Sequence, residues 1–270
     1  MIKRIITGAL ITVAVYVLIC FSYITPLIYA ATACLCMCAV YEIYHAIGVE
    51  KDRQLLFASL AMACVISILP IPQYEYILIA IFIVAVVLFV VLMMSMGSFQ
   101  LINTTQAMII AFIIVLLFKS IPALREYEDG LYYLIFAATI CFITDVFAFL
   151  FGKAFGSHKL LPKISPNKTV EGAVGGVLVS LLVSTIILLI MEKQINLIFD
   201  RNVFVVYVIL TSIVGQFGDL CMSVIKRICG IKDYSNFFPG HGGILDRFDS
   251  HLFGIAFTLI FCVITGGFIY

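Results

Sequence analysis

Apolar runs separated by short polar interruptions fill this chain from one end to the other, and a run of about 20 apolar residues is what a helix needs to cross a bilayer. Such runs can be drawn near residues 5–23, 27–46, 55–71, 75–96, 105–123, 130–151, 170–191, 203–225 and 250–270. The pattern predicts nine crossings and an all-α fold, a polytopic transmembrane helix bundle. The third run is short, and only Thr25-Pro26 separates the first two, a very tight turn that the proline helps to define. Lys3 and Arg4 ahead of an apolar run also fit a signal peptide; the run counts here as the first crossing.

Two polar connections are long, 152–169 and 226–249. With the N-terminus in the cytoplasm, nine crossings put Lys3, Arg4, Lys51, Arg53, Lys153, Lys159, Lys163, Lys168, Lys226, Arg227, Lys232 and Arg247 on the cytoplasmic side. Lys119, Arg125, Lys193 and Arg201 fall on the other. Twelve cations against four agrees with the positive-inside rule. Both long connections then share the cytoplasmic face and can build one site. Eight crossings, with an early run merged or lost, would keep them together and move only the N-terminus.

Polar positions inside the apolar runs concentrate in the second half. Asp145 lies on a helical stripe with Ala138, Cys141, Ala148 and Gly152, small residues over which another helix can pack closely. The eighth run places Ser212, Gln216, Asp219, Ser223 and Lys226 at spacings of three and four, one polar face running into the connection that follows. An ionisable group in a membrane costs at least about 2.5–3.5 kcal/mol on insertion scales, which marks Asp145 and Asp219 as functional candidates. A hydrogen bond between helices is the alternative for each. In the connection 152–169, Ser165 or Thr169 is placed to cap the seventh helix, and the N–H groups there suit a phosphate, with Lys168 adding a charge. Gly172 and Gly176 form a GxxxG pair for close helix packing. The first half carries no such motif; Glu42 and His45, three apart near a helix end, read as side chains snorkelling to the interface, the alternative being a shared proton or a bound ligand. Residues 1–129 therefore read as scaffold or a homodimer surface, and 130–270 as the region that carries the candidate chemistry.

Composition strengthens the membrane reading: 64% of residues are hydrophobic, 11% are charged and the mean hydropathy is +1.20. Eight of the nine cysteines lie in apolar runs, where cysteine behaves as a small hydrophobe, so neither disulfides nor a thiolate metal site is expected. A net charge of +1 gives no indication of a nucleic-acid partner.

Against that background the 27 residues from Ser223 to Asp249 carry seven formal charges. Lys226, Arg227, Lys232 and Arg247 suit phosphate oxygens, while Asp233, Asp246 and Asp249 suit a divalent ion such as Mg²⁺. Pro239-Gly240-His241-Gly242-Gly243 lets backbone N–H groups approach an anion. An ordinary basic loop would explain the cations, but not the aspartates or the glycines.

Ser223, Lys226-Arg227, Lys232-Asp233, Ser235, Phe238-Pro239, His241-Gly242-Gly243 and Asp246-Arg247-Phe248-Asp249, at these spacings, resemble the C-terminal signature of the phosphatidate cytidylyltransferases, or CDP-diacylglycerol synthases. The intramembrane Asp145, the Gly152-Lys153-Ala154-Phe155-Gly156 stretch and Ser165-Pro166-Asn167-Lys168-Thr169-Val170-Glu171-Gly172 resemble the same family. Phe149 stands where many members carry tyrosine, and Asn167 where lysine is frequent. The resemblance covers about residues 145–249, the N-terminal half matching only in hydropathy. It implies the reaction of CTP with phosphatidic acid to give CDP-diacylglycerol and pyrophosphate, at the cytoplasmic face of a cell membrane.

On that basis Asp219 and Asp246 are expected to hold one or two Mg²⁺ ions across the triphosphate, with Asp249 a further ligand. Lys226, Arg227, Lys232 and Arg247 are expected to neutralise phosphates and the Gly242-Gly243 backbone to cradle one. Ser223, Asp145, Ser165, Lys168, Thr169 and Glu171 are placed around the nucleotide or lipid phosphate. For His241 a proton donor and a hydrogen-bonding role stay open. An isoprenoid-type lipid phosphate is the alternative substrate. An ion-coupled transporter is the alternative class, although no inverted repeat accompanies the intramembrane acids.

Overall fold

The structure, a computed structural model, describes residues 25–50, 53–68, 104–195, 198–238 and 242–269. Within them lie seven α-helices and one hairpin: α1 (Thr25–Ile47), α2 (Arg53–Ile68), α3 (Thr104–Glu126), α4 (Gly130–Phe155), β1 (Lys159–Leu161), β2 (Ser165–Thr169), α5 (Val170–Ile195), α6 (Arg201–Ile228) and α7 (Leu245–Thr265). All of these helices except α2 are long and apolar enough to cross a membrane. The runs near 5–23 and 75–96, and His241, lie outside the described residues.

Two boundaries differ from the hydropathy pattern. Helix α7 starts at Leu245 rather than near residue 250, so Asp246, Arg247 and Asp249 belong to its first turns instead of a loop. Helix α3 runs on to Glu126 through Lys119, which is buried instead of lying in an outer loop. Its Nζ donates to the Ser67 carbonyl at 3.1 Å and sits 4.6 Å from the centre of the Tyr29 ring. Backbone and ring acceptors inside the bundle replace the water that hydropathy alone would assign to this ammonium. The connection 152–169 is also more ordered than its polar sequence suggests. It folds as an antiparallel hairpin with Lys159 opposite Thr169 and Leu161 opposite Ser165.

Local chemistry sets several helix ends. Asp200 accepts from the N–H groups of Asn202 and Val203 at 3.0 and 3.1 Å and starts α6. The Thr169 hydroxyl accepts from Gly172 N–H at 3.1 Å and caps α5, as expected of one of the two hydroxyls considered for that role. Gly266, at φ +74°, ends α7 in the left-handed conformation that suits glycine.

Small residues let the second-half helices approach closely. Along the α4–α5 seam, a side chain at Gly172 would strike the Ala148 carbonyl, and one at Gly176 would come within 2.7 Å of the Thr144 carbonyl. Cys141 of α4 lies between Gly215 of α6 and Gly254 of α7, and Gly218 of α6 faces the Phe253 ring. In the interior, Thr144, Ser180 and Ser212 bond through their hydroxyls, with Ser212 2.9 Å from Thr144 and 2.6 Å from Ser180. Helices α4, α5 and α6 are thereby tied at depth. At the end of the bundle remote from the hairpin, Phe136, Phe199, Phe204 and Phe268 make an aromatic core. The Tyr133 hydroxyl there accepts from Phe268 and Ile269 N–H. The hairpin, the end of α6 and the start of α7 gather at the opposite end.

Gly176→Leu is expected to lower unfolding stability by about 1–3 kcal/mol through overpacking of the α4–α5 seam. Leu178→Ala, on the exposed face of α5, should change it by less than about 0.5 kcal/mol. Thermal midpoints in detergent check both, and equal midpoints for the two variants would contradict the close seam.

Candidate active site

Two connected polar clusters occupy this end of the bundle. The first surrounds a cavity of about 260 Å³ whose walls include Asp145 and Phe149 of α4, Ser165 and Lys168 of β2, and Gln216 and Asp219 of α6. Lys168 and Asp219 form an ion pair at 2.5 Å, with about a quarter of each side chain exposed. The Ser223 hydroxyl, one turn further along α6, donates to the other Asp219 oxygen at 3.4 Å. On the α4 side, Asp145 accepts from the Ser250 hydroxyl at 2.6 Å. Asp145, Asp219 and Asp249 lie within electrostatic reach of one another, faced by Lys168, Lys226 and Arg247. Carboxylates thus converge from α4, α6 and α7, with cations from the hairpin and the ends of α6 and α7 around them.

The second cluster is closed. Asp246, with 2% of its side chain exposed, takes the Lys226 ammonium on one oxygen at 2.7 Å. Its other oxygen accepts from the N–H groups of Tyr234 and Gly243 at 2.8 and 2.9 Å. Gly242 stands at φ +78°, and a Cβ there would lie 2.5 Å from that same oxygen. Tyr234 completes the cluster from the connecting segment: its hydroxyl donates to the Met222 carbonyl at 3.0 Å and its ring lies 5.5 Å from the Lys226 ammonium. Burial, with the Asp246 carboxylate nearby, pushes that phenol well above its ordinary pKa, so it stays a donor at any working pH.

Two expected site elements lie in this cluster. The Gly242-Gly243 turn was expected to cradle a phosphate; in the structure Gly243 N–H donates to the chain's own Asp246. Asp246 was expected to ligate a metal jointly with Asp219. In the structure its oxygens accept from one ammonium and two backbone N–H groups. Sequence spacing could not distinguish an aspartate aimed at solvent from one folded back onto the turn before its helix.

The other expected residues fall in distinct places. Ser165, Lys168 and Thr169 line the cavity, although the Thr169 hydroxyl is already engaged as a cap. Glu171 is drawn to His158, its carboxylate 2.6 Å from the ring Nδ1 and 3.1 Å from the backbone N–H, which fastens the start of the hairpin to α5. Arg227 donates to the Ile164 carbonyl from Nε and to the Ile231 carbonyl from its terminal nitrogen, each at 3.1 Å. It therefore joins the two long connections directly. Lys232 and Arg247 are exposed, while Asp249 is half-buried.

Sequence reasoning missed Glu42. Instead of snorkelling, it is 4% exposed and accepts from the Ser235 hydroxyl at 2.6 Å and from Ile244 and Leu245 N–H at 2.9 Å. A side chain on Gly243 would strike its carboxylate. The only advance signal was an acidic residue inside an apolar run, the same signal that singled out Asp145.

Apolar helices that converge on a buried set of carboxylates and cations define an integral membrane protein with a polar site at one end of its bundle. Residues 2–265 match the model of the Cytidylyltransferase family, and the chain belongs to that family. It is 45% identical over 126 residues to a protein of Staphylococcus haemolyticus, an alignment covering 47% of either chain. It is 44% identical over 138 residues to one of Staphylococcus epidermidis, covering 51% of this chain and 52% of the relative. Both relatives carry the name phosphatidate cytidylyltransferase. The chain spans about half the length of the curated relatives it matches.

Lys226→Met strands the Asp246 carboxylate in the interior and should cost about 3–5 kcal/mol of stability. Adding Asp246→Asn keeps an acceptor for the two N–H groups while removing the stranded charge. The double variant should therefore melt above Lys226→Met alone, and the reverse order in detergent thermal scans would refute the closed pair.

Proposed function

We propose that this protein is a phosphatidate cytidylyltransferase, a nucleotidyltransferase of phospholipid biosynthesis that converts CTP and phosphatidic acid into CDP-diacylglycerol and pyrophosphate. The observation that carries the proposal is the cavity in which Lys168 and Asp219 pair beside Asp145, Ser165 and Gln216, in a chain of the Cytidylyltransferase family. A phosphate oxygen of the lipid attacks the α-phosphorus of CTP, the bond to the β-phosphate oxygen breaks, and pyrophosphate leaves with that electron pair. No side-chain nucleophile is needed. Two anions must meet, so neutralisation and positioning supply the catalysis.

The residues at the cavity suit that task. Lys168 lies on its wall as a point charge that can move from Asp219 to a phosphate oxygen. Exposed Arg247 and Lys232 are free to approach the triphosphate, while Arg227 holds the hairpin in place. Lys226 and Asp246 then act by positioning the start of α7.

The donor set also fits a divalent ion. Among the described residues no group of three metal-ligating side chains is close enough to form a ready-made site. Mg²⁺ is commonly bound by only one or two carboxylates together with substrate phosphates. Asp219, with Asp249 and Asp145 near it, would hold it. Bound there, Mg²⁺ would neutralise charge on the triphosphate.

We place the site at the cytoplasmic face of a cell membrane, on nine crossings, by the distribution of basic residues. Residues 130–270 form the catalytic region, and 1–129 the scaffold and a possible homodimer surface. The lipid enters sideways between α4 and α6. Phe149, which lines the cavity while 65% exposed, lies where an acyl chain meets the phosphate site.

The test is CDP-diacylglycerol formation by detergent-purified protein from labelled CTP and phosphatidic acid with Mg²⁺, an isoprenoid phosphate serving as comparison lipid. Asp219→Asn should lower kcat by about 10²–10³-fold, and Lys168→Gln should raise KM for CTP by about tenfold, roughly 1.4 kcal/mol of lost binding. Wild-type protein that leaves CTP intact with phosphatidic acid would overturn the proposal. Faster turnover of the isoprenoid phosphate would replace the lipid assignment.

A further inference from the structure

Glu42 carries hydrogen bonds from the N-terminal half of the chain to the signature segment. Glu42 lies in the last part of α1 and Ser235 in the connection between α6 and α7, 193 residues apart, yet they are joined at 2.6 Å. One Glu42 oxygen accepts from both the Ser235 hydroxyl and Ile244 N–H, and the other accepts from Leu245 N–H. Among the described residues no cation pairs with this buried carboxylate; nearby His45 pairs instead with Glu50 at 3.7 Å. Three neutral donors and the positive end of the α7 dipole stabilise the charge. A buried carboxylate is expensive to maintain without a partner, and an amide or alcohol would suffice if only a hydrogen bond were needed. The geometry uses both carboxylate oxygens, and Gly243 is kept free of a side chain at the point of contact.

The bonds made by Glu42 and Asp246 interlock. Ile244 and Leu245 are held by Glu42, Gly243 and Tyr234 are held by Asp246, and Asp246 holds Lys226. Together they fix where α7 starts, and α7 carries Arg247 and Asp249 towards the cavity acids. Glu42 is not among the residues lining the cavity.

We propose that Glu42 is a positioning residue for the transfer reaction, setting the start of α7 so that Arg247 and Asp249 face the reacting phosphates. This inference rests on the cytidylyltransferase reading of the site. Because Glu42 acts through α7, its loss should appear in kcat more than in substrate affinity. Glu42→Gln keeps the side chain's shape, yet turns an N–H group towards Leu245 N–H, where two donors then meet.

The experiment compares wild-type, Glu42→Gln and Ser235→Ala full-length proteins in detergent, with turnover normalised to folded protein from size-exclusion profiles and thermal midpoints. Glu42→Gln is expected to lower kcat by about tenfold, corresponding to about 1.4 kcal/mol, while KM for CTP stays within about threefold. Ser235→Ala keeps the carboxylate and its two backbone bonds and should lose about threefold in kcat. A kcat within about twofold of wild type for folded Glu42→Gln would overturn the inference. If that variant fails to fold, a wild-type kcat for Ser235→Ala overturns it. An inactive wild-type protein would instead count against the proposed reaction.

Discussion

A carboxylate removed from water must find donors, and two such carboxylates organise the functional end of this protein. Asp246 closes on Lys226 and on two backbone N–H groups, while Glu42 closes on Ser235 and the next two N–H groups along the chain. The first groups of a helix lack intrahelical partners, and at α7 the chain supplies its own anions to them. An interior of low polarity makes each of these bonds strong and each omission costly. The start of α7 is therefore rigidly defined where a glycine-rich turn alone would be loose.

That rigidity matters because the cavity is assembled from separate elements. Lys168 arrives on a hairpin, Asp219 on α6 and Asp145 on α4, with Asp249 of α7 within electrostatic reach of the two acids. Arg227 bonds the hairpin to the end of α6, and Glu171 bonds its start to α5. These bonds explain why charged residues that do not line the cavity still belong to its construction. The small-residue seams beneath do the same for the helices, since Gly172, Gly176, Gly215 and Gly254 let four backbones come close enough to share one site.

Charge also divides by depth. Below the cavity acids the polar groups are hydroxyls, Thr144, Ser180 and Ser212, which satisfy one another without any ion. Above them stand the carboxyl groups and cations around the cavity, reaching towards the hairpin. A neutral floor beneath an ionic mouth suits a site that receives a water-soluble anion from one side while an apolar tail remains in hydrocarbon. Glu42 adds that the helices read as scaffold take part in this mouth, because α1 holds the turn from which α7 departs.

The sequence by itself determined the membrane-spanning helical class, since segment length and apolarity are local properties, and it marked Asp145 and Asp219 as acids placed where lipid would make them costly. It also contained the small-residue spacing of Gly172 and Gly176, which is a property of one helix face. Tertiary structure alone decided which acids open onto the cavity and which turn inward. Asp246 and Asp219 share the expectation of binding a metal, yet in the structure the first accepts from Lys226 and two N–H groups while the second lines the cavity. Glu42 was invisible as a partner because its donors lie some two hundred residues further on. A hydrogen bond depends on where two groups meet in space, and no periodicity along one segment encodes that meeting.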